Sequence, residues 1–139
     1  YMKLECTVEL HEATQSDGTQ TLLVSLHTPE HARFLIGKNG QNLKALEHLV
    51  RMLHSRNSPE SMVITLDVND YRKSKAQHAL EMARQALGRV RNTQKAEALA
   101  PMSAYERRVV HMELASCPDI TTESIGDEPQ RRIVIKPFP

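Results

Sequence analysis

The chain has 139 residues, 40% hydrophobic and 25% charged, with a formal net charge of +1 at pH 7; these values suit one folded domain or two small ones and exclude disorder as the default. No apolar run approaches the ~20 residues of a membrane-spanning helix, so no membrane insertion is expected, and Tyr1-Met2-Lys3 has none of the layout of a signal peptide. Aromatic residues are scarce, 4% with no Trp, which argues against a ligand site built from stacked aromatic platforms.

Cys6 and Cys117 stand far apart without a CxxC partner, the pattern of reduced thiols in a cytoplasmic protein. The small net charge hides an asymmetry. Residues 1–70 hold 6 Lys/Arg against 9 Asp/Glu, net −3, while residues 71–139 hold 12 against 8, net +4. A polyanion would therefore be held by local arrangements in the first half and more by bulk field in the second.

In chain order, Leu4, Cys6, Val8 and Leu10 alternate with polar residues, the period of a half-buried strand. Gln15-Ser16-Asp17-Gly18 is turn chemistry, and Leu22, Val24 and Leu26 resume the alternation, completing a hairpin. Thr28-Pro29 predicts an N-cap and first helical position for a short helix through His31 to Leu35. Gly37 and Gly40 punctuate it. Leu43, Leu46, Leu49, Val50 and Leu53 then recur at helical spacing to about Ser55, with Lys44, Arg51 and Arg56 read as the wet face. Met62, Ile64, Leu66 and Val68 predict a third strand.

Asn69-Asp70 is the expected cap of a helix with the apolar stripe Ala76, Ala79, Leu80, Ala83, Leu87 and Val90. Pro101 breaks the chain, and Ser103 with Glu106 fits the capping box of a helix running to about Ser116. Tyr105, Val109, Met112 and Ser116 are read as its core face. A closing hairpin runs from Ile120 to Ile125 and from Arg131 to Lys136, turning at Gly126-Asp127-Glu128-Pro129. The fold class is α+β: residues 1–70 in the order strand, strand, helix, GxxG, helix, strand, and residues 71–139 as a smaller α/β module.

Two constellations could carry chemistry. In Leu35-Ile36-Gly37-Lys38-Asn39-Gly40-Gln41-Asn42-Leu43, glycines keep side chains away from the backbone amides. The second helix also starts at the turn, so its free N–H groups and dipole face an incoming phosphate. The competing reading is a plain helix–helix turn. In Glu106-Arg107-Arg108-Val109-Val110-His111, Arg107 and His111 are four apart on one helix face, where a guanidinium and an imidazole can grip a phosphate and stack on a base. Val110 and Leu114 flank them, so a structural pair, with the Arg closing a helix end and the His filling a polar slot, is the alternative. The histidines show no HxH or HExxH spacing, and no nucleophile–base set or carboxylate cluster has its local context. No metal, cofactor or catalytic activity is expected.

Ile36-Gly37-Lys38-Asn39-Gly40-Gln41-Asn42-Leu43, placed after a hairpin and before a helix and a strand, resembles the KH domain of prokaryotic topology, although the opening helix of that topology is not evident. The resemblance implies that Gly37, Lys38, Asn39 and Gly40 clamp a single-stranded backbone while Ile36 and Leu43 wall an apolar groove for bases. Residues 100–111, 121–129 and 131–135 are similar to the Arg-x-x-x-His (R-three-H) domain, which implies a second contact through Arg107, Arg108 and His111. The two in this order, with Tyr71-Arg72-Lys73 opening the joining helix, resemble the bacterial Jag family (SpoIIIJ-associated, EloR or KhpB proteins). That likeness implies binding of single-stranded RNA (single-stranded DNA being the other candidate), a cytoplasmic location, and a role in cell elongation and envelope regulation. It also implies pairing as a homodimer or with a small single-KH protein. The alternative function is a protein–protein (dimerisation) module with incidental RNA binding.

Overall fold

The computed structural model describes residues 3–139; Tyr1 and Met2, the chain start noted above, lie outside the described residues. The chain divides into two compact units, Tyr1–Tyr71 and Arg72–Pro139.

In the first unit, β1 (Thr7–Thr14) and β2 (Gln20–His27) form an antiparallel hairpin, and β3 (Met62–Val68) pairs parallel to β2, giving the order β1-β2-β3. Between β2 and β3 come α1 (Ala32–Ile36), a 3-10 turn at Lys38–Gly40, and α2 (Gln41–Asn57). The register sets Leu22, Val24 and Leu26 beside Ile64, Leu66 and Val68 on one sheet face. Leu35, Leu43, Leu66 and Val68 form a buried cluster there, with Val24, Leu26, Leu46 and Tyr71 packed around it. Each fully buried aliphatic side chain contributes about 1.5–3 kcal/mol.

Three expectations need correction. β1 is not half-buried: every residue is exposed, Val8 at 53% and Leu10 at 61%, because it is the sheet's edge strand. The α2 stripe is rotated, too. Leu43 is buried, Leu46 and Val50 are half-buried, but Leu49 and Leu53 lie exposed. Positions 43, 46, 47, 50 and 54 share one face at helical spacing, so the polar Glu47 and His54 turn inward in their place. Arg51 is not simply a wet-face residue. Its Nε donates to the Ile64 carbonyl at 2.7 Å, the Leu66 N–H donates to Glu47 at 2.9 Å, and the two side chains pair at 2.9 Å. Together they satisfy the outer edge of β3, the edge not used by β2, and block strand addition there.

The expected caps also differ. Thr28 is 3% exposed and its hydroxyl accepts from the His31 N–H at 3.2 Å, yet α1 starts only at Ala32. Asn69 does not cap the next helix. At φ +48° its side chain accepts from the Thr28 N–H (2.9 Å) and donates to the Thr28 carbonyl (2.7 Å), tying the end of β3 to the end of β2.

The second unit contains α3 (Tyr71–Thr93, whose first residue belongs to the first unit), β4 (Glu97–Ala98), α4 (Ala104–Leu114), β5 (Ile120–Ile125) and β6 (Arg132–Pro137). Its antiparallel sheet has the order β4-β6-β5. The two-residue β4 carries no periodicity and was not expected. Ala79, Ala83, Ala86 and Val90 of α3 pack with Leu99, Val110, Leu114, Ile120, Ile133 and Ile135. The small alanines let α3 approach closely. The capping box forms as its residues dictate: the Ser103 N–H donates to Glu106 at 2.8 Å, and the Glu106 N–H to the Ser103 hydroxyl at 3.3 Å.

These burial patterns make a paired prediction. Ile133→Ala, at a position with 0% exposure, should cost about 2–5 kcal/mol, whereas Val8→Ala on the exposed edge should stay within about 0.5 kcal/mol. Chemical denaturation of both variants checks this.

Candidate nucleic-acid interface

The GxxG turn owes its glycines first to its own geometry. Gly37 adopts φ +69°, ψ −178°, and Gly40, at φ +76°, is the left-handed residue from which α2 departs. A Cβ on Gly37 would lie 2.6 Å from the Asn42 side chain, and one on Gly40 would lie 3.2 Å from the Tyr71 ring. Asn42 is held there by donating its Nδ2 hydrogen to the Phe34 carbonyl at 2.7 Å. The space beside both glycines is therefore filled by the protein itself.

What the turn presents outward is Lys38 and Asn39. Both are exposed, Asn39 in the left-handed conformation at φ +53°, and neither side chain has a hydrogen bond or ion pair among the described residues. No side chain caps α2; the Gly40 N–H donates instead to the Gly37 carbonyl at 3.3 Å and the Gln41 N–H to the Lys38 carbonyl. The turn itself thus takes up the first backbone donors, and the positive end of the α2 dipole lies next to Lys38. Ile36 is half-buried against the core, whereas Leu43 is 2% exposed within it and offers little wall to a groove. Phe34, which the sequence reading missed, is 54% exposed one turn before Gly37. Its signal was present: Ala32, Leu35 and Ile36 share a face at helical spacing, which leaves Phe34 outside.

In the second unit the faces of α4 are exchanged relative to expectation. Glu106, Arg107, Val110 and Leu114 point inward. Tyr105 and Met112, read as core, are 53% and 68% exposed. Arg107 has a side chain only 10% exposed; it donates to the Met102 carbonyl at 2.7 Å and pairs with Glu128 at 2.8 Å. That geometry favours the structural alternative for Arg107. His111 is half-buried with Nδ1 2.7 Å from the Thr122 hydroxyl. Burial, and secondarily the positive Arg107, hold its pKa below the usual imidazole value of 6.5. The imidazole is thus neutral at neutral pH, fit for hydrogen bonding or ring contact rather than for charge attraction.

Arg108 behaves differently from its neighbour. Four arginines of the second unit form ion pairs: Arg84 with Glu113, Arg89 with Glu97, Arg91 with Asp119, and Arg107 with Glu128. Arg131 donates to Ser124 and Arg132 to the Gln130 carbonyl. Arg108 is exposed and has no such partner among the described residues.

This second unit has a family. Residues 77–137 match the family model of the R-three-H domain. They are an R-three-H domain. The chain is 34% identical over 101 residues to the RNA-binding protein KhpB of Clostridium symbiosum, an alignment covering 73% of this chain and 46% of that protein. It is 34% identical over 110 residues to the protein of that name from Bacillus subtilis, covering 78% and 53%. Against that of Streptococcus pneumoniae it is 32% identical over 127 residues, covering 89% and 38%. The chain therefore spans half or less of the length of most of these relatives. Both findings support the Jag (KhpB) family likeness together with the R-three-H domain.

Two outcomes follow from the geometry of the R-three-H domain. Arg107→Ala leaves the Met102 carbonyl without its donor and should lower stability by about 1–3 kcal/mol. Arg108→Ala should change it by no more than about 0.5 kcal/mol, as thermal or denaturant unfolding will read.

The second outcome concerns pH. The pKa of His111 is lower in the folded state than in the unfolded one, so the unfolded chain takes up the proton first as pH falls. Its contribution to stability is complete above pH 6.5 and is lost as pH drops from there toward the folded value. Relative to His111→Gln, the wild type should lose melting temperature between neutral pH and pH 5. A constant difference between the two would contradict the assignment.

Proposed function

We propose that this chain binds single-stranded RNA through two surfaces, the GxxG turn of a KH-like first unit of prokaryotic type and the exposed side of α4 in the R-three-H domain. The observation that carries the reading is the exposed, unpartnered Lys38-Asn39 pair at the uncapped start of the 17-residue α2. A phosphate there meets an ammonium, an amide side chain and the positive end of the α2 dipole at once. Phe34 and Ile36 lie beside that point and offer bases an apolar surface. The parallel pairing of β2 with β3 around a helix–turn–helix supports the KH-like assignment, and the relatives bearing the name RNA-binding protein KhpB support RNA as the ligand.

Each surface by itself reaches only a few nucleotides. Covalent linkage gives the second contact a high effective concentration once the first has formed. The first half of the chain, at net −3, has no general field for a polyanion, so it depends most on that help. The set Ile36, Gly37, Lys38, Asn39, Gly40, Leu43, Arg107, Arg108 and His111 divides by role within the proposal. Lys38, Asn39, Arg108 and His111 touch the ligand, Ile36 lines its path, and the glycines, Leu43 and Arg107 hold the contact residues in place. A cytoplasmic location, a role in cell elongation and envelope regulation, and pairing with a single-KH protein rest on the family likeness alone and belong to the same proposal.

Lys38→Asp combined with Asn39→Asp tests the turn. Both residues are exposed, and Asp tolerates the left-handed conformation at position 39, so the melting temperature should hold. Affinity for single-stranded RNA should fall by about tenfold or more, and duplex RNA should compete poorly with the wild type. Unchanged affinity in the folded double variant would reject the turn as a contact. The exposed Leu49, Met52 and Leu53 on α2 favour the second reading, a dimerisation module. Its mark in the same titration is RNA binding that is flat with salt, because phosphate contacts give a steep dependence and a protein interface does not, together with concentration-dependent sedimentation.

A further inference from the structure

Of the four Tyr and Phe residues among the described residues, only Tyr71 is packed against a hydrophobic core. Phe34, Tyr105 and Phe138 are 54%, 53% and 60% exposed. In a chain so poor in aromatics, leaving most of them in water sacrifices burial that a core would otherwise gain. Tyr105 lies on the R-three-H helix itself, in its first turn.

Helical spacing fixes its neighbours. Arg108 is three positions on and Val109 four, and Met112 lies seven on, so Tyr105, Arg108 and Met112 form one outward strip along α4. Met112 is 68% exposed, and Val109 between them is half-buried. The strip joins an aromatic face, a guanidinium without a protein partner and a polarizable thioether. His111 flanks it, three positions from Arg108 and anchored to Thr122.

We propose that this strip is a nucleotide-docking platform: the Tyr105 ring stacks an unpaired base, Arg108 takes the adjoining phosphate, and Met112 supports the next base or sugar. The proposal rests on the RNA-binding reading above and assigns the part of the R-three-H surface that touches bases. Charge selects the occupant. An apolar peptide would leave the Arg108 guanidinium unmatched, whereas a nucleotide supplies a flat π-face and an anion at neighbouring positions. The buried Arg107, spent on Met102 and Glu128, cannot serve that phosphate without leaving its partners.

The test is anisotropy titration of the full chain with a short labelled oligoadenylate at several salt concentrations. Tyr105→Ala should weaken binding by about 5- to 100-fold with an unchanged salt slope and melting temperature, and Tyr105→Phe should keep wild-type affinity. Arg108→Ala should weaken binding and flatten the slope by about one unit. Wild-type affinity in Tyr105→Ala overturns the platform. So does loss in Tyr105→Phe equal to that in Tyr105→Ala, or a changed sedimentation with unchanged RNA affinity, which would make the strip a protein contact. If Lys38→Asp with Asn39→Asp still weakens binding while Tyr105→Ala does not, the platform fails and the RNA-binding reading stands. A wild-type chain that binds no oligonucleotide ends both.

Discussion

Arg107 carries its charge into the side of the second unit, and much of the local arrangement follows from where that guanidinium must go. Its donors reach the carbonyl of Met102, just before α4, and the carboxylate of Glu128, in the turn between β5 and β6. A guanidinium buried to this degree is tolerated only when its donors are matched, so α4 is rotated until they are. That rotation turns Val110 and Leu114 onto the sheet and sends Tyr105 and Met112 outward. It also sets His111 beside Thr122, where burial and the nearby positive charge keep the ring neutral. Arg107 is thus held inside the unit while His111 stays half-buried, and Tyr105, Arg108 and Met112 face solvent.

The first unit solves a similar problem with its own side chains. Its turn holds three positive-φ residues, Gly37, Asn39 and Gly40, and glycine takes the first and last of them without strain. The volume a side chain would occupy there is given to Asn42 and Tyr71. Asn42 fastens the turn to α1 through the Phe34 carbonyl, and Tyr71 joins it to the apolar cluster under the sheet. The outcome is a rigid turn that exposes Lys38 and Asn39, so little ordering would remain to be done when a ligand arrives.

Sheet edges are handled by two means. The outer edge of β3 is satisfied by Arg51 and Glu47, which reach across from α2 to Ile64 and Leu66. β1, the other edge, is left uncovered but carries Glu9, His11 and Glu12 among its apolar residues, and such charges discourage pairing with a second chain. The inward Glu47 costs α2 part of its apolar face and leaves Leu49 and Leu53 in solvent.

Local chemistry by itself determined a good deal. The order of the principal elements, the capping box at Ser103 and Glu106, the alanine stripe of α3 and the two motifs each depend on residues within a turn or two of one another. Period and turn residues report such features directly. What the sequence could not decide was which of two adjacent stripes on α2 and α4 would be buried, because both carry apolar residues. Long-range bonds made that choice: Glu47 and Arg51 to β3, and Arg107 to Met102 and Glu128. Asn69 was drawn from its expected cap to Thr28, 41 residues away, and the two-residue β4 exists only because β6 pairs with it. A buried charge or an unpaired strand edge is more expensive than an exposed leucine or tyrosine, so the tertiary structure satisfied the polar groups first and left the apolar ones outside.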